Sequence, residues 1–110
     1  MEISSRDAGE VQVVEFEGNL DTNTSPNAQK HLKELVGGGN SKILVNFEKL
    51  NYISSAGLRV LLATAKQLRA NGGDLRLCGL NQNVQEVFEI SGFNSILSVH
   101  TSESEALDGF

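Results

Sequence analysis

The feature that most constrains this chain is a change of period in its apolar residues. Leu58, Leu61, Leu62, Ala65 and Leu68 recur at i, i+3, i+4, i+7 and i+10, a stripe that one side of a helix would bury. Arg59, Ala63, Lys66 and Ala70 fall on the opposite, solvated side. Before this stripe lies the short apolar run Ile43-Leu44-Val45, and after it Leu75-Arg76-Leu77-Cys78. Such short runs, bounded by turn residues, read as strands, and Ile43 to Val45 as a central strand covered on a face. Strands that alternate with helices favour a mainly parallel sheet joined by right-handed crossovers.

The pattern extends to both ends. Val11 to Phe16 is rich in β-branched residues and reads as a strand with Val14 and Phe16 on one face. A strand near Glu2 to Ser5 pairs with it across the Asp7-Ala8-Gly9 turn. Ser25-Pro26 marks a helix start, with Ser at the N-cap and Pro at the first helical position. That helix runs to about Val36, points Leu32, Leu35 and Val36 inward, and stops at Gly37-Gly38-Gly39. Glu48 to Tyr52 reads as a loop, and the striped helix begins near Ser55. Lys66 and Arg69 suit its C-terminal end, and Asn71-Gly72-Gly73 ends it. Asn81 to Ile90 is a third helix with Val84, Val87 and Phe88 inward, closing near Gly92. Ile96 to Val99 is a last strand, and Thr101 to Leu107 a final helix capped by Thr101 or Ser102. The expected fold is a single α/β domain over 1–110, a mixed, mostly parallel sheet of four to five strands packed with about four α-helices.

Charge and cysteine content narrow the function. A net charge of −5 argues against nucleic-acid binding, which needs a basic surface to displace counterions. Cys78 is the one cysteine, so no intrachain disulfide is possible, and its apolar setting reads as a buried structural thiol. Met1 to Asp7 has no apolar segment of a signal peptide. The longest mostly apolar stretch, Leu58 to Ala65, contains Arg59 and is too short to span a membrane. A soluble, cytoplasmic protein without membrane insertion is expected.

Catalytic patterns are weak. His31 lies on the polar side of a helix pattern and His100 ends a strand, so both read as surface residues rather than general bases. No Gly-x-Ser-x-Gly elbow occurs. Gly37-Gly38-Gly39-Asn40-Ser41-Lys42 follows a helix and precedes a strand, the reverse of a phosphate-binding loop. No Cys/His cluster has metal spacing. Neither an enzyme nor a cofactor or metal is expected.

The segment Tyr52-Ile53-Ser54-Ser55-Ala56-Gly57-Leu58 places two hydroxyls where a loop becomes a helix. One reading is a cap: Ser54 or Ser55 accepts from a free backbone N–H, worth about 1 kcal/mol. The other uses the same physics, since free N–H groups and partial positive charge at a helix start tolerate an anion. A phosphate there adds about −1.5 to −2 charges.

The stretch Ile43 to Leu58, with its apolar strand, polar loop, aromatic-apolar pair and Ser54-Ser55-Ala56-Gly57-Leu58 helix opening, resembles the signature of STAS domains, specifically the bacterial anti-sigma factor antagonists. Gly18-Asn19-Leu20-Asp21 is similar to the family's Gly-Glu-Leu-Asp loop. Asn71 to Gly79 and Val84 to Gly92 resemble its later helix-strand-helix block. The resemblance covers nearly the whole chain. It implies a partner that is both an anti-sigma factor and a serine kinase, a phosphorylated serine that breaks the complex, and a phosphoserine phosphatase that restores it. The matching phosphoacceptor is Ser55, with Ser54 as the second candidate. The implied docking surface comprises Asp21, Ser54, Ser55, Ala56, Gly57, Arg59, Ala63 and Lys66. The family usually has Asp before the acceptor, where this chain has Ser54. That departure keeps a second reading open: a STAS interaction subunit that is not phosphorylated, as in lipid-transport accessory subunits or signalling scaffolds.

Overall fold

A computed structural model describes residues 1–110, the side chain of Asn94 excepted. The elements are β1 (Glu2–Ala8), β2 (Val11–Leu20), α1 (Ser25–Gly37), β3 (Lys42–Asn46), β4 (Leu50–Ile53), α2 (Ser55–Ala70), β5 (Asp74–Cys78), α3 (Gln82–Ser91), a 3-10 turn (Phe93–Ser95), β6 (Ser98–His100) and α4 (Glu103–Leu107). The six strands form one sheet in the order β1-β2-β3-β5-β6, with β4 attached to β2. Only β1 and β2 pair antiparallel, Ile3 opposite Phe16 and Ala8 opposite Val11. The other pairs are parallel. The mixed, mostly parallel α/β sheet with four helices agrees with the expected fold, with one strand more.

The extra strand is β4, in the segment read as a loop. Leu50 and Ile53 are buried while Asn51 and Tyr52 are exposed, so no alternation marks it. Its partner defines it. The first half of β2 pairs with β3, from Gln12 opposite Ile43 to Glu15 opposite Asn46. The second half pairs with β4, Gly18 opposite Leu50 and Leu20 opposite Ile53. The register shifts between Gly18 and Asn19, and Gly18 takes a φ of 107° there, a backbone conformation that a Cβ disfavours. β2 therefore continues past Phe16 to Leu20. The last strand also moves: β6 begins at Ser98 after the 3-10 turn.

Period-two alternation sends two sets of side chains to opposite faces. Val14, Phe16, Ile43, Val45, Leu75 and Leu77 meet α1, α2 and α3 on one face. Val11, Val13, Leu44 and Cys78 meet Ala106 of α4 on the other. The central strands are thus covered on both faces. Three aromatic rings bind the main core together: Phe16 and Phe47 stack at 6.0 Å and 25°, and Phe47 meets Phe88 edge-on at 6.5 Å and 60°. Burying each ring contributes on the order of 2–3 kcal/mol. On α2 the buried set differs from the sequence stripe: Leu62 is only half-buried, while Val60 and Thr64 are buried, Val60 beside Pro26 and Gln29 of α1. Thr64 satisfies its hydroxyl by donating to Val60 O at 2.8 Å.

Side-chain caps set most helix starts. Asn81 accepts from Val84 N–H at 2.8 Å and donates through Nδ2 to Leu50 O at 2.9 Å, which ties α3 to β4. Ser102, not Thr101, caps α4. α1 begins one residue earlier than its sequence suggested: Thr24 holds the N-cap position, and Ser25 is already helical and buried. The Ser25 hydroxyl donates to Asp21 O. His31 is half-buried with its Nε2 enclosed, and His100 is half-buried with Nδ1 3.6 Å from Glu105 Oε1. Neither is the plain surface residue expected. Among the described residues no helix is long and apolar enough to cross a membrane.

Candidate functional site

The pairing of Leu20 with Ile53 brings two loop entries side by side at the ends of β2 and β4. Ser54 N–H donates to Leu20 O at 2.8 Å, so Asp21, next in the chain, lies beside the turn that opens α2. Ser54 is extended, with φ −98° and ψ 173°, and is the N-cap. Its Oγ accepts from Gly57 N–H at 3.3 Å, and its carbonyl accepts from Leu58 N–H at 3.0 Å. Ser55 is the first helical residue and is exposed. Of the two hydroxyls, Ser54 caps and is half-buried, while Ser55 is exposed.

Gly57 is buried, and the structure explains why it is glycine. A Cβ there would lie 2.8 Å from Leu20 Cγ, 2.9 Å from Ile53 Cγ1 and 3.0 Å from Leu20 O. The first turn of α2 presses directly on β2 and β4 at this point. Gly57 consequently faces the core, which corrects its expected place on the docking surface.

Asp21 shapes its own loop. Its Oδ1 accepts from Asn23 N–H at 2.9 Å and Thr24 N–H at 3.0 Å, an Asx-type turn. The Thr24 N–H, foremost, holds the carboxyl below its ordinary pKa. A carboxylate lowered in this way supports the loop above its unfolded pKa, and the support fades as pH falls through the folded value. Thr24 Oγ1 donates to Asn19 O at 2.8 Å and accepts from Asp21 N–H at 2.8 Å. The loop is thus pinned to the end of β2.

Between α1, with the loop that precedes it, and α2 runs a surface groove of about 330 Å³, lined by Thr22, Ser25, Pro26 and Gln29 on one side and Ala56, Arg59, Val60 and Ala63 on the other. Ala56, Arg59 and Ala63 were expected on a docking surface. Thr22, Ser25, Pro26, Gln29 and Val60 were not, because the spacing of one helix does not show where its neighbour lies. Lys66 is exposed on α2 and, like Asp21, Ser54 and Ser55, does not line the groove. The small side chains at Ala56 and Ala63 leave the groove open. The turn offers a hydroxyl and no paired base. Among the described residues no group of three or more His, Cys, Asp or Glu side chains could hold a metal ion.

The cap gives a first prediction. Ser54→Ala should destabilise the fold by about 1 kcal/mol, since Gly57 N–H loses its acceptor. Urea denaturation checks this, and an unchanged midpoint would contradict the capping role.

Residues 2–106 match the sequence model of the STAS domain. The chain is 43% identical over 95 residues to BtrV of Bordetella bronchiseptica, which is assigned to the anti-sigma factor antagonists, covering 86% of this chain and 82% of that protein. It is 31% identical over 87 residues to the anti-sigma-B factor antagonist of Staphylococcus aureus, covering 79% and 81%. The solved structure of the Bacillus cell fate determinant SpoIIAA in its phosphorylated form superposes with a TM-score of 0.74 at 24% identity, covering 97% of each chain. The chain belongs to the STAS-domain family and sits with its anti-sigma factor antagonists.

Proposed function

We propose that this chain is a cytoplasmic anti-sigma factor antagonist that works as a phosphorylation-controlled binding switch. Unmodified, it sequesters an anti-sigma factor that is also a serine kinase, and so frees a sigma factor for transcription. The kinase phosphorylates Ser55, the complex parts, and a phosphoserine phosphatase resets it. The chain itself catalyses nothing. The kinase brings the base and the metal for phosphoryl transfer, and this domain presents the hydroxyl.

The observation that carries the reading is the division of labour in the turn: Ser54 occupies the cap while Ser55, one residue on, is exposed at the start of α2. It also accounts for the departure from the family pattern. Asp and Ser are both good N-cap residues, each accepting from the backbone N–H two or three residues on. Ser54 at the family's Asp position keeps that function and changes only the charge. A phosphate at Ser55 would meet the positive end of α2, so the isolated domain would tolerate it. One residue before Ala56, which lines the groove, it would place new negative charge on a chain already at −5. The description of SpoIIAA in a phosphorylated form supports modification as a property available to this fold.

Incubation with the cognate kinase and ATP, followed by mass-spectrometric mapping, should place a single phosphate on Ser55. Phosphate on another residue with Ser55 untouched would overturn the assignment. Failure of any such kinase to bind or modify the chain would favour the unphosphorylated interaction subunit.

A further inference from the structure

The second face of the sheet has an apolar floor and a thin cover. Val13, Leu44 and Cys78 are 0% exposed, and the residue of α4 that seals them is Ala106. Leu107 and Phe110 pack against the same cluster while remaining partly open. α4 has five residues and buries one of them. By contrast, α2 alone buries seven on the other face.

Polar ties hold α4 in place. Arg6 of β1 pairs with Glu103, the two side chains being 49% and 26% exposed, and Asn46 Nδ2 donates to Glu103 Oε1 at 3.3 Å. Arg76 of β5 donates to Ala106 O at 2.8 Å, Asp108 O at 2.9 Å and Gly109 O at 3.2 Å. Its guanidinium also lies 4.4 Å from the centroid of the Phe110 ring. One arginine thus holds each end. Exposed ion pairs contribute little to stability, and a single buried alanine contributes little apolar area. A segment with few buried apolar contacts opens at lower free energy than the core it covers.

We propose that α4 is a releasable strap, latched at its two ends by Arg6 and Arg76, which lifts from the sheet while the rest of the fold stays intact and so bares the face formed by Val11, Val13, Leu44 and Cys78. Asn46 keeps its place in the open form, because its Oδ1 also accepts from Glu48 N–H at 2.9 Å. The strap controls access to the one thiol of the chain. Under the closed strap the Cys78 thiol is buried, and burial pushes its pKa up to about 12, so it reacts with reagents only when α4 is away.

The test is the rate of Cys78 labelling in the full chain by an aromatic disulfide reagent at constant pH, followed across urea concentrations below the unfolding transition. Opening of α4 alone exposes little surface, so the rate should be nearly independent of urea at low concentrations. Arg76→Ala should raise the rate about tenfold or more, as expected for loss of several charge-assisted hydrogen bonds. Glu103→Gln at the other end should raise it by a smaller factor without moving the global unfolding midpoint. If Arg76→Ala does not fold, the wild-type urea dependence and Glu103→Gln still decide. Labelling that follows the steep urea dependence of global unfolding in the wild type would overturn the proposal. So would a Glu103→Gln rate equal to wild type.

Discussion

Ser55→Asp is expected to weaken binding to the proposed kinase partner about 100-fold, whereas Ser55→Ala should leave the affinity within about threefold. The figure follows from burying one uncompensated carboxylate in an interface, a cost of several kcal/mol when no cation meets it. Each 1.4 kcal/mol is about a tenfold change in affinity. Arg59 lines the groove, and it moderates the cost where it can reach the new charge. The effect is separable from the fold. Asp at the first position of α2 suits the helix dipole and should stabilise the isolated chain slightly, by about 0.3–1 kcal/mol. Titration calorimetry of the two variants, beside their urea midpoints, distinguishes a lost interface from a damaged fold. Equal affinities for Ser55→Asp and Ser55→Ala would remove the basis of the switch.

The largest loss of stability is expected for Phe47→Ala, about 3–5 kcal/mol. Phe47 is 0% exposed and its ring lies between Phe16 of β2 and Phe88 of α3. Its backbone is equally committed: Phe47 N–H donates to Cys78 O at 2.8 Å and its carbonyl accepts from Leu50 N–H at 2.9 Å. Those bonds steer the chain from β3 into β4 and so toward the Ser54 turn. Truncation leaves a cavity between Phe16 and Phe88 that the surrounding structure closes only in part. A thermal midpoint lower by roughly 15–25 °C is expected for a domain of this size. A shift below about 5 °C would mean that the aromatic cluster does not organise the core.

What could be read from sequence alone was set by local repetition. The stripe on α2 was legible because five apolar residues repeat within one helix. The hairpin and the parallel strands were legible because short apolar runs alternate with helices. β4 was not, because Leu50-Asn51-Tyr52-Ile53 carries no alternation and becomes a strand only by pairing with the far end of β2. The burial of Val60 was invisible for a similar reason: it faces the groove beside α1. At the site, the motif singled out Ser55 and Asp21 as candidates. It could not show that Ser54 holds the cap, that Asp21 spends its carboxylate on Asn23 and Thr24 N–H groups, or that Gly57 faces Leu20 and Ile53. Those facts arise from the parallel pairing of Leu20 with Ile53, a contact between segments more than thirty residues apart.

The most direct test of the proposed switch is the affinity of the chain carrying phosphate only on Ser55, compared with the unmodified chain, for the proposed kinase partner, measured by titration calorimetry without ATP. The unmodified chain should bind at least about 100-fold more tightly, and phosphatase treatment should restore its affinity. Equal affinities before and after modification would contradict the account.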